Sequence, residues 1–204
     1  MKSFISNIIK LVVLVLAVIG FMSIGGMDFL KNTFSNFNWF RPSNETLMEK
    51  ANKIADFSNI NQEEYEISKA ANVMGYKAVV AEHNASGQKF VVMDSNKEPL
   101  LTKEDFSTGK VDEKIQKLHK KLEKQFIHLD NMQIKKRSSM TALNQTVPYV
   151  KIEAEPKNMP TVKKVTGIVG AAEKDGKPYV ILAFNTDDKY SQIITEQFFK
   201  DVKW

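Results

Sequence analysis

Three histidines, two close pairs of acids and one row of lysines are the side chains whose types and spacing could do chemistry in these 204 residues. Glu82 and His83 adjoin in a stretch that reads as a strand, so they should point to opposite faces and not share a metal. His119 and His128 stand nine residues apart, about half a turn on a helix, and make no ligand set. Glu153 and Glu155 would share a strand face, as a working carboxylate pair needs, but beside Pro156 they read as a solvated edge. Asp187 and Asp188 fall where a last helix would begin, and there the helix dipole and capping account for them.

The chain holds no GxGxxG, GxxxxGK[ST], GxSxG or HExxH pattern. No catalytic, metal-binding or cofactor-binding residue is expected, and an unfamiliar hydrolase site is the weakest of the readings. Asn44, Asn84 and Asn144 each start an Asn-x-Ser/Thr triplet, which matters only in a glycosylating secretory pathway.

The lysine row is the distinctive constellation. Lys110, Lys114, Lys117, Lys121 and Lys124 fall within about 80° of one another at 100° per residue. With Lys135, Lys136 and Arg137, residues 110–137 hold nine basic groups against four acidic ones. Such a ridge suits anionic headgroups, an acidic protein partner or a polyanionic envelope polymer; the plainer reading is a solvated helix face. Nucleic acid is not expected, because no aromatic residues interleave with the lysines.

The elements that would carry these residues divide into three parts. Composition is globular, 43% hydrophobic and 26% charged, and the absence of cysteine excludes disulfides, thiolate zinc sites and a thiol nucleophile. The net charge is +5, of which residues 1–43 carry +3. That excess flanks an uncharged 17-residue run from Leu11 to Met27. Leu11, Val12, Val13, Leu14, Val15, Leu16, Val18, Ile19 and Phe21 make it a candidate single transmembrane helix, short unless Lys10 snorkels.

Lys2 and Lys10 precede the run and favour a cytoplasmic N-terminus with the following domain outside. A secretory signal cleaved near Gly25 is the rival. Residues 28–43 then form a linker in which Phe34, Phe37, Trp39 and Phe40 suit the water–bilayer interface; the alternative is that they pack on the domain. Pro42 closes it. The expected division is an anchor over 1–27, a linker over 28–43 and an extracytoplasmic α+β domain over 44–204.

Within that domain a helix is expected to start at Ser43 and a second to span 62–73. Two apolar runs around Asn84–Gly87 predict a hairpin of central strands. The spacing of Val111, Ile115, Leu118, Leu122, Phe126 and Leu129 predicts one helix over 111–129. Residues 135–139 read as a basic loop. Strands follow at 147–154, 162–172 and 178–184, with Asp175–Gly176 as a turn and Gly167 and Gly170 marking a bulge or a close approach. A helix over 188–202 ends the chain.

The order α-α-β-β-α-β-β-β-α predicts a mainly antiparallel five-stranded sheet with flanking helices. The functional expectation is a membrane-anchored interaction or scaffold domain of a cell envelope, with the bilayer and an envelope protein as partners. The alternative is a tethered ligand-binding or sensor module with a pocket between sheet and helices, reached over the two glycines.

Overall fold

A computed structural model describes residues 46–73, 76–95, 99–123, 129–156 and 163–204. The expected anchor, its interfacial aromatics and the capping Ser43 lie outside the described residues. Among the described residues no helix is long and apolar enough to cross a membrane.

Seven strands build one sheet: β1 (Tyr65–Val73), β2 (Tyr76–His83), β3 (Lys89–Ser95), β4 (Leu129–Ala142), β5 (Gln145–Pro156), β6 (Val165–Lys174) and β7 (Lys177–Thr186). Four helices are described: α1 (Leu47–Asn52), α2 (Lys103–Ser107), α3 (Lys110–Glu123) and α4 (Gln192–Asp201). The strand order is β1-β2-β3-β7-β6-β5-β4, antiparallel throughout. Two meanders therefore meet where β3 pairs with β7. Between them the chain leaves the middle of the sheet, forms α2 and α3, and re-enters at the far edge as β4.

Tight turns set the pairing. Asp175 and Gly176 both take positive φ (51° and 73°), the backbone twist that matches two flanking strands. Leu143 and Asn144 do the same between β4 and β5 (53° and 57°). Leucine carries a steric cost there, offset by burial of its side chain and by its N–H donating to the Phe199 carbonyl at 3.0 Å.

Side-chain alternation gives the sheet two buried faces. Toward α1 and α4 lie Tyr65, Phe90, Phe198 and Phe199, with Ile168 and Ile181. Toward α2 and α3 lie Val80, Val91, Met93, Val111, Ile115 and Val180. Helices thus cover both sides of a single sheet.

The expected five-stranded sheet is corrected to seven strands in the order α-β-β-β-α-α-β-β-β-β-α. In place of the helix expected over 62–73, a turn at 62–64 leads into strand β1. Tyr65 and Ile67 bury on alternate positions, and a register irregularity between Ile67 and Lys69 then hides the period of two. The basic stretch 135–139 lies inside β4, an edge strand whose alternation is broken by irregularities at Asp130/Gln133 and Ile134/Lys136. Leu129 begins β4 instead of ending the long helix.

The first helix begins at Leu47, capped by Thr46. The last begins at Gln192, capped by Ser191, so Asp187 and Asp188 do not cap it.

Candidate interaction site

The site forms where the described chain begins. Thr46 and Glu49 close a capping box: the Thr46 hydroxyl accepts the Glu49 N–H at 3.2 Å, and the Glu49 carboxylate accepts the Thr46 N–H at 2.7 Å. Those bonds to Thr46 hold the Glu49 carboxyl below its ordinary range. The box fixes the first turn of α1 with Leu47 outward, 46% exposed, and Ala51 buried against the core.

The chain then doubles back. Asn52 accepts the Phe57 N–H at 3.0 Å, and Asp56 exchanges backbone bonds with Lys203 beyond α4. Asn84 binds the Glu64 carbonyl through its N–H and the Glu63 carbonyl through its side chain, each at 2.8 Å, which ties the turn before β1 to the end of β2. Between α1 and edge strand β1 an open groove of about 360 Å³ remains, lined by the apolar Leu47, Met48, Ile60 and Ile67 and by the polar Gln62, Tyr65, Glu66 and Asn84. Burial, with Glu64 and Asp201 nearby, pushes the Tyr65 phenol up to about 12, so it is a neutral hydroxyl at every physiological pH.

The lysine row is divided by its neighbours. Lys114 reaches the buried Asp105 at 2.6 Å and staples α3 to α2. Lys117 pairs with Glu113, Arg137 with Asp112, and Lys135 with Glu153 at 3.6 Å. Lys136 pairs in register with Lys151, whose ammonium sits 5.2 Å from the Tyr190 ring, and so shares the face away from α3. The backbone of Lys110 and Lys121 lies on α3, but the Lys121 side chain and the whole of Lys124 lie outside the described residues. The eight cations therefore do not form one continuous ridge among the described residues.

The remaining candidates resolve into local structure. Glu153 accepts from Lys164 (3.3 Å), and Glu155 from the Asn131 amide (2.6 Å), so they serve different partners. Asp187 accepts the Thr166 hydroxyl, which together with Lys164 holds its carboxyl below the usual range. His83 Nδ1 lies 2.9 Å from the Ser86 hydroxyl, the contact of a hydrolytic pair. Ser86's own N–H also donates to that nitrogen at 3.2 Å, and the Tyr65 ring packs 5.2 Å from the imidazole, so the contact braces the β2–β3 loop. His119 and His128 fall among side chains outside the description. Among the described residues no three His, Asp or Glu side chains group as a metal site.

Gly167 and Gly170 answer to packing. A Cβ at Gly167 would meet the Ala183 carbonyl at 2.5 Å, and one at Gly170 would meet the Pro148 carbonyl at 3.0 Å. Neighbouring strands, not an open pocket, occupy the space above them.

One buried spot was not foreseen from the sequence. Asp94 is 6% exposed with one carboxylate oxygen unpaired, and the indole N–H of Trp204 is likewise buried without a partner. Both neighbour Tyr179, Asp94 across the β3–β7 pairing and Trp204 at 4.5 Å between ring centroids. Burial raises the Asp94 carboxyl above its ordinary range, against the pull of Lys77 and Lys177. No one-residue sequence signal marks it; only the strand register brings the three together.

Compared with models of known protein families and with curated proteins, the chain matches none.

Proposed function

We propose that this chain is a membrane-tethered interaction domain of a cell envelope, its folded body carried outside the membrane by the uncharged segment Leu11–Met27. The observation that carries the reading is the groove between α1 and β1. Its lining includes Leu47, at the start of the folded body that follows the linker 28–43. Leu47, 46% exposed, stands at the rim of this partly polar groove, where a partner side chain would find both apolar and polar contacts. Lys2 and Lys10 before the run support the orientation.

Cross-linking in intact membranes, followed by gentle detergent extraction, tests the reading. A stoichiometric protein partner is expected. A chain that stays single at every cross-linker length contradicts it.

A second reading, a tethered ligand-binding module, is favoured by the unpaired Asp94 and Trp204 atoms beside Tyr179. The Asp94 oxygen lacks a donor and the Trp204 indole N–H lacks an acceptor. Thermal shifts with a panel of small polyols and amines test it, and no stabilisation by any of them removes its basis.

A further inference from the structure

We draw no further inference here: the strongest candidate, the groove between α1 and edge strand β1, belongs to the site already described, and nothing in the structure shows what covers it.

Discussion

Rings pack one face of the sheet and an ion pair pins the other. Toward α1 and α4, Phe198 stacks on Phe90 at 4.1 Å between centroids and meets Tyr65 at 5.2 Å, so one helix residue joins strands β1 and β3. Gln88 adds three neutral bonds on that side: its amide donates to the Ser191 carbonyl (3.1 Å) and the Thr195 hydroxyl (2.7 Å), and its carbonyl accepts the Ser191 N–H (2.7 Å). Toward α2 and α3 the contacts are mostly aliphatic, with Phe184 and Phe106 among them, and the fixed point is Asp105, which accepts from Thr102 and from Lys114. Neutral packing of this kind is indifferent to pH, whereas a buried carboxylate is not. The difference teaches which half of the molecule should loosen first.

The largest expected effect is on the ring-packed face. Phe198→Ala should cost about 4 kcal/mol in denaturant unfolding, because a fully buried ring leaves a cavity that four aromatic neighbours cannot fill. Ile115→Val on the opposite face should cost about 1 kcal/mol. Equal losses would erase the contrast.

Next comes Asp105→Ala, with an expected loss of about 2 kcal/mol, since the α2 capping box loses its carboxylate and the half-exposed Lys114 loses its partner. Burial raises this carboxyl, but Lys114 and the Thr102 N–H outweigh it and hold it below its ordinary range. Its contribution is therefore present above the ordinary carboxylate pKa and is lost as pH falls through the lowered folded value. Unfolding measured across that range should show the wild type losing stability that Asp105→Ala never had.

Gln88→Ala should cost about 2 kcal/mol by leaving the Ser191 N–H and the Thr195 hydroxyl short of a partner, with no dependence on pH. The smallest effect has the opposite sign. Asp94→Asn should raise the melting temperature at pH 7, because a raised folded pKa means that the ionised form destabilises the fold. The gain should shrink as pH falls through that raised value and the wild-type carboxyl takes up its proton. A constant gain at all pH values would mean that the charge of Asp94 has no part in it.

The sequence made the two-faced middle of the sheet legible and hid its edges. Val79, Val80, Val91 and Val92 are all buried, as apolar runs without alternation require, and Asp175–Gly176 makes the turn its residue types specify. β1 and β4 were missed because edge strands are half solvated and irregular. Lys135, Lys136 and Arg137 read as loop, and Leu143–Asn144 lacks the glycine that usually announces such a turn. The period of α3 was visible from Val111 and Ile115, but Leu129 continued that period by coincidence while belonging to a strand.

The groove was beyond reach for a related reason. It exists only because 65–73 is a strand beside α1, and a helix there would have had no free edge. The lysine row was legible as a row, and Glu113 four residues before Lys117 could be read with it, but Asp105 comes from α2 and meets Lys114 only through the fold, which side-chain spacing along one helix cannot show.

The most direct trial of the tether is protease shaving of intact cells, followed by mass spectrometry of what is released and what remains. Fragments from 46–204 should appear outside the cells, while the first 27 residues, with their initiating methionine, stay in the membrane fraction. An intact full-length chain in the soluble fraction, untouched by external protease, would contradict the account.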